Sequence, residues 1–180
     1  MAQEIARVAR RLEEAKETKF LDLSKCELLS IPDATYLMLK NSVTEKCDLS
    51  YNKIKKITSK FCSKFPVLKE LCIVDNNLTS LPDDLQELKE LTVLDISHNK
   101  FDSLPSVIYD CTKLTTIIAS YNKITYVDVE RLGKMESLKT IDLRDNPLTT
   151  NIIEDLQTLE QCTVYVGDSD PVGKELDELE

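Results

Sequence analysis

Two side-chain types in this sequence could carry out nucleophilic or metal chemistry: the single histidine, His98, and the six cysteines. A cysteine beside a histidine can act as a nucleophile with its general base, and clusters of the two bind zinc. The cysteines, however, stand singly, without a C-x-x-C pair. Repeat spacing places Cys72 on the strand next to His98, but about 10 Å away along it. With three glycines the chain also lacks a phosphate-binding loop. The sequence therefore predicts no catalytic residue, no metal site and no cofactor.

The charge and hydropathy of the chain limit the kinds of partner that it can bind. A net charge of −9 argues against nucleic-acid binding, because phosphates repel an acidic surface, and it favours a basic partner where charge steers association. No apolar run approaches the roughly 18 residues of a membrane span, and the first residues do not form a secretory signal. We therefore expect no membrane association. Scattered single cysteines suit the reducing cytoplasm, with the nucleus as an alternative compartment.

The elements that would position these side chains come from an internal repeat. The pattern L-x-L-x-x-N-x-L recurs every 23 to 26 residues. Its index asparagines are Asn52, Asn76, Asn99, Asn122 and Asn146, with Cys26 at the equivalent place of an earlier copy. A period of two sends the leucines to one face of a short strand, and stacked copies bury that face against each other.

This pattern predicts an α/β solenoid, with a curved parallel sheet on the concave face and short 3₁₀ or helical turns on the convex face. Residues 1–17 follow helical spacing and predict an N-terminal capping helix. Residues 18–167 would form six repeats and a closing strand, in which we place Gly167 at the index position. Residues 168–180 are acidic and poor in apolar side chains, so we expect a flexible tail.

Strand positions that point away from the core should line the concave face, and we predict that this face binds a protein or peptide. Exposed aromatic and apolar residues would concentrate binding energy there, and aspartates would attract a basic group. The candidate binding residues are Asp48, Tyr51, Val74, Val93, Asp95, His98, Ile118, Tyr121 and Asp142. An alternative role for the aspartates stays open. The sequence L-D-L-S is common in such repeats, and its aspartate would then be structural, with a hydrogen bond to a neighbouring serine or lysine.

The repeat, with L-P-x-x-L-x-x-L-x-x-L on its return path, resembles the cytosolic class of leucine-rich repeat proteins over about residues 18–167. The resemblance implies a repeat-only, non-enzymatic interaction module or scaffold, and we expect a monomer. A second function stays open. An acidic regulator of basic proteins, like a histone chaperone or a phosphatase regulator, would combine such a solenoid with the acidic residues 168–180.

Overall fold

The computed structural model describes residues 2–167, with side chains from residue 6 onward, so the expected acidic tail lies outside the described residues. Seven short strands form one parallel sheet in the order of the chain. They are β1 (Phe20–Asp22), β2 (Lys46–Asp48), β3 (Glu70–Cys72), β4 (Val93–Asp95), β5 (Thr116–Ile118), β6 (Thr140–Asp142) and β7 (Thr163–Tyr165). Each strand pairs only with its sequence neighbours, and the sheet is not closed. The predicted α/β solenoid is confirmed.

Short helices occupy the return path of each coil, the unit from one strand to the next. They are α2 (Asp33–Met38), α3 (Ser59–Lys64), 3₁₀ helices at Asp83–Glu87 and Ser106–Asp110, α4 (Val129–Gly133) and α5 (Thr150–Gln157). The two 3₁₀ helices directly follow Pro82 and Pro105, whose rings fix φ at the turn. Inward side chains of strands and helices share one continuous core, in which the strand leucines and isoleucines are almost fully buried.

The first coil is covered by helix α1 (Ala2–Thr18). Leu12 and Ala15 of this helix are buried on the core, as a cap requires. Arg11 also crosses to the first turn, where Nη1 donates to the Ser24 carbonyl at 2.5 Å and lies 3.4 Å from the Cys26 sulfur. The guanidinium thus supplies polar contacts at the one coil in which a thiol replaces the index asparagine.

The index asparagines bind each coil to the one before it. In one buried example, Asn99 Oδ1 accepts the Leu78 N–H at 3.0 Å, and Nδ2 donates to the carbonyls of Ile73, Ile96 and Ser97. Asn52, Asn76, Asn122 and Asn146 make the equivalent bonds in their coils. Because one side chain satisfies backbone groups of two coils, the turn that leaves each strand can be buried.

The predicted register of the last strand is wrong by two residues. The structure pairs Thr163 with Thr140 and Tyr165 with Asp142. Gly167 therefore aligns with Arg144 rather than with the index asparagine, and its carbonyl accepts the Asp145 N–H at 2.8 Å. A slip of two residues keeps every side chain on its face, so the apolar alternation of the sequence fits both registers equally well.

Candidate functional site

A column of left-handed residues runs along the ends of the strands, one residue before each index position. Its members are Lys25, Tyr51, Asp75, His98, Tyr121 and Asp145, all with φ between 52° and 57°. We call it the left-handed column. An L-residue in this conformation costs roughly 1–2 kcal/mol, and asparagine and aspartate adopt it most readily because their short side chains can bond locally. The repeat pattern placed Tyr51, His98 and Tyr121 on the concave face but did not indicate their left-handed backbone, because no member of the column is glycine, the usual signal for positive φ.

Two members of the left-handed column form an exposed aromatic stack. The rings of His98 and Tyr121 lie 4.2 Å apart between centroids and 10° from parallel. They belong to neighbouring coils, whose separation of about 4.8 Å suits ring stacking. Both side chains are exposed, Tyr121 by 43%. Tyr51 belongs to the coil two before that of His98 and is 51% exposed. The Lys25 ammonium lies over the Tyr51 ring, 5.1 Å from its centroid.

Apolar residues of the concave face lie on the same coils as this stack or on the coils before it. Val93, on β4, and Ile118, on β5, are half-buried side chains of neighbouring strands, and Ile118 pairs directly with Asp95. Val74 is also half-buried, and its carbonyl accepts the Tyr51 N–H at 2.7 Å. The apolar candidates and the aromatic candidates therefore lie on four consecutive coils, those that begin with β2 to β5.

The aspartates of the concave face have local partners. Asp48, Asp95 and Asp142 each accept the backbone N–H two residues on, at 2.8–3.1 Å. Asp95 also accepts the Ser97 hydroxyl at 2.7 Å, and Lys46, two residues before Asp48, pairs with Glu70 of β3. These bonds agree with the alternative that the L-D-L-S motif left open, in which the aspartates stabilise the turn after the strand.

Asp142 and Asp95 differ in what they present to a ligand. Asp142 is buried and holds Arg144 through two side-chain bonds of 3.0 and 2.6 Å, so a guanidinium lies above that carboxylate. The same guanidinium lies 5.4 Å from the Tyr165 ring centroid. Asp95 has no such cation, and burial raises its pKa against the lowering effect of the Ser97 hydrogen bonds. It is the carboxylate whose charge a bound cation would stabilise most.

Cys72 lies between Asp48 and Asp95 on the same face, half-buried. Burial, and then the carboxylates of Asp95 and Asp48, raise its pKa to about 11. The thiol is therefore protonated at neutral pH, which makes it a poor nucleophile. All six cysteines are free. Among residues 2–167, no three His, Cys, Asp or Glu side chains come together in a way that could hold a metal ion.

An ion-pair chain runs along the edge where the strands begin. Glu45 lies between Lys19, at 2.9 Å, and Lys69, at 2.7 Å, on the coils before and after it. Hydrogen bonds from both ammonium groups, Lys69 first, lower the pKa of Glu45 to about 2. Both lysines are exposed and Glu45 is half-buried, so this chain of ion pairs contributes to the charge distribution at the rim more than to stability. In the part of the chain that the structure describes, no helix is long and apolar enough to span a bilayer.

Comparison with known proteins places this geometry among repeat proteins. The family profile described as "Leucine-rich repeat region" matches residues 13–170. Leucine-rich repeat-containing protein 20 of Mus musculus is 46% identical over 157 residues, which are 84% of this chain and 85% of that protein. The Homo sapiens protein of the same name is 37% identical over 95 residues, or 51% of this chain and 52% of that protein.

Solved structures share the fold at lower identity. The functional domain of InlJ from Listeria monocytogenes superposes with a TM-score of 0.61 at 24% identity, over 85% of this chain and 30% of that one. A Shigella effector domain with leucine-rich repeats superposes with a TM-score of 0.57 at 21% identity, over 93% of this chain and 90% of that one. At these identities the likeness concerns the fold alone.

Proposed function

Because the chain belongs to the leucine-rich repeat proteins, which in general act as interaction modules, we propose that it binds a protein or peptide partner on its concave face. The observation that carries this proposal is the exposed stack of His98 on Tyr121, with half-buried Val93 and Ile118 on the same two coils. Exposed aromatic side chains with adjoining apolar area are where interfaces concentrate binding energy. No catalytic step is needed for this function.

The other predicted residues have supporting roles in this proposal. Tyr51 and Val74 extend the apolar surface by two coils, and Asp95, with Asp48 farther along, binds a lysine or arginine of the partner. Asp142 acts indirectly, because it fixes the direction of the Arg144 guanidinium. A partner segment with one basic side chain flanked by apolar or aromatic ones would match this order of groups.

We further propose a monomer in the cytoplasm, with the nucleus as the alternative compartment. The support is that all six cysteines are free and that four of them are buried in the core, where a thiol packs as a small apolar group. The acidic-regulator alternative depends on residues 168–180, outside the described residues, and no observation in the solenoid favours it.

The test compares affinity capture from cell lysate by the wild type and by the double variant Val93→Asp/Tyr121→Ala. A matched control is Val67→Asp/Tyr126→Ala, which makes the same two changes at residues that are 40% and 59% exposed and lie outside the strands. We expect proteins that the wild type and the control retain and the concave variant loses. For such a partner, purified, we expect affinity to fall at least about tenfold by calorimetry.

The captured proteins test the proposal only if the wild type, the concave variant and the control are all folded. Circular dichroism and thermal unfolding establish this. Identical protein lists for the wild type and the concave variant would contradict the proposal. So would a loss of the same proteins in both variants, since that would show a general effect of surface substitution rather than a site.

A further inference from the structure

A second surface lies on the convex side, where α2 of the first coil and α3 of the second coil are neighbours. Between them is a hollow of about 420 Å³ lined by Asp33, Tyr36, Leu37, Lys40, Lys60 and Lys64. Leu37 is 74% exposed, the highest value among the large apolar side chains from residue 6 to residue 167. Tyr36 is buried beneath it, with its ring 6.1 Å from that of Phe65. This hollow therefore has an apolar floor and one apolar wall.

The rim of the hollow is basic although the chain as a whole is acidic. Lys56 lines the adjoining hollow of about 340 Å³, which shares Asp33, Tyr36 and Lys60 with the first. Lys60 pairs with Asp33 at 2.5 Å and lies 4.7 Å from the centroid of the Tyr36 ring. No carboxylate of residues 6–167 pairs with the other three lysines, Lys40, Lys56 and Lys64. In these two hollows four ammonium groups face a single carboxylate, in a protein whose net charge is −9, although Lys56 and Lys60 also line a third hollow that contains Asp83 and Asp84.

The combination of groups indicates the chemistry of the ligand. Carboxylates would neutralise the three unpaired ammonium groups, and an aliphatic side chain would cover Leu37 and remove apolar area from water. A nucleic acid would use the lysines but has no aliphatic group for Leu37, and the acidic remainder of the protein would repel it. An acidic peptide with an aliphatic residue uses both parts of the surface.

We propose that the hollow between α2 and α3 binds an acidic segment of a partner protein, with an aliphatic side chain on Leu37 and carboxylates on Lys40, Lys56 and Lys64. This surface is separate from the concave face and does not depend on the function proposed for it. With both surfaces occupied, one chain would join a basic partner on the concave side to an acidic partner on the convex side.

The test measures binding of a fluorescent probe peptide, rich in glutamate with one leucine, to the full chain by anisotropy. The variant Lys40→Glu/Lys64→Glu reverses two of the proposed contacts. Its matched control, Lys100→Glu/Lys123→Glu, makes the same change in net charge at two exposed lysines on other coils. At about 50 mM salt, where exposed charges are weakly screened, we expect about tenfold weaker binding for the first variant and less than about twofold for the control.

A third variant, Leu37→Ser, tests the apolar wall, and we expect about fivefold weaker binding with no change in the salt dependence. The concave variant Val93→Asp/Tyr121→Ala should bind the probe as the wild type does, so the two proposals fail or hold separately. Equal loss in the two lysine variants would mean general charge attraction and would overturn the site. Tighter binding of a fluorescent oligonucleotide than of the peptide, without an effect of Leu37→Ser, would overturn the choice of ligand.

The chain's own acidic residues 168–180 are the remaining candidate occupant. Neutralising them in the full chain, with Glu175→Gln, Asp177→Asn and Glu178→Gln, should leave probe affinity within about twofold of the wild type. Probe binding more than about tenfold tighter in this variant would show that these residues already fill the hollow, and it would overturn the proposal of a partner segment.

Discussion

Replacing Tyr121 by glycine and, separately, by alanine tests whether the left-handed column is strained. At most positions glycine is the less stable of the two, because it loses more backbone freedom on folding. At Tyr121, with φ of 53°, the order should reverse, since glycine has no Cβ to clash in this conformation. Both variants lose the stack with His98, so that loss cancels in the comparison.

The magnitude follows from two opposing terms. The left-handed conformation costs an L-residue roughly 1–2 kcal/mol, which alanine keeps and glycine does not. Glycine loses about 0.4–1 kcal/mol more in backbone entropy relative to alanine. We therefore expect Tyr121→Gly to unfold with a free energy about 1 kcal/mol higher than that of Tyr121→Ala. Against the wild type, Tyr121→Ala should be less stable by about 0.5–1.5 kcal/mol, the contribution of the aromatic pair.

Urea unfolding followed by circular dichroism measures both free energies, and a change in midpoint at constant slope identifies a change in stability. Thr116 in β5 is the control, because its backbone is not in the positive-φ region. There Thr116→Gly should be less stable than Thr116→Ala by about 0.5–1 kcal/mol. If glycine at position 121 were equal to alanine or less stable, the column would carry no strain.

Three further outcomes follow from contacts of single side chains. Asn99→Ala should lower the free energy of unfolding by about 1–3 kcal/mol in urea, because it leaves the Leu78 N–H buried without an acceptor; a loss below about 1 kcal/mol would contradict the role given to the index asparagines. The side-chain carboxyl of Glu45 should titrate near its pKa of about 2 by NMR rather than at its ordinary 4.5. Since this pKa is lowered in the folded state, its stabilising effect is present above about pH 4.5 and is lost as pH falls toward 2; Lys69→Ala should return the midpoint toward the ordinary value. Cys72, with a pKa of about 11 instead of 9, should form about a hundredth of the thiolate of an exposed cysteine at pH 8. Its alkylation by iodoacetamide, followed by mass spectrometry, should be correspondingly slow, and labelling at the rate of the urea-unfolded chain would contradict this.

The repeat pattern predicted the solenoid because it contains two independent signals, the alternation of apolar residues and the recurring asparagine, and both indicate the same structure. Alternation around Leu94 and Ile96 fixes which face is buried, and the recurrence of Asn99 fixes where the strand ends. Neither signal depends on distant contacts, since each coil touches only its neighbours. The closing strand lacks an index asparagine among the described residues, and there the prediction was wrong by two residues.

The candidate site was less predictable, because its features depend on backbone conformation and on pairs of side chains. Sequence alone places His98 and Tyr121 on neighbouring coils, but their stacking depends on the positive φ that both residues adopt. It also marks Asp142 as an exposed carboxylate, whereas the structure places it beneath Arg144. An aspartate two residues before an arginine on one strand face is a signal that could have indicated this pair.

The asparagine ladder has a direction, and this affects how the chain can fold as it is synthesised. Each index asparagine accepts an N–H of the coil that precedes it, as Asn52 does for Leu28 and Asn146 does for Ile124. A coil emerging from the ribosome therefore lacks its last hydrogen-bond acceptor until the next 21 to 24 residues have followed. Leu148, in the last repeat, instead donates to the nearby carbonyl of Asn146. Folding during translation should accordingly lag one repeat behind synthesis. The last repeat does not have this delay, because its local bond already satisfies the Leu148 N–H.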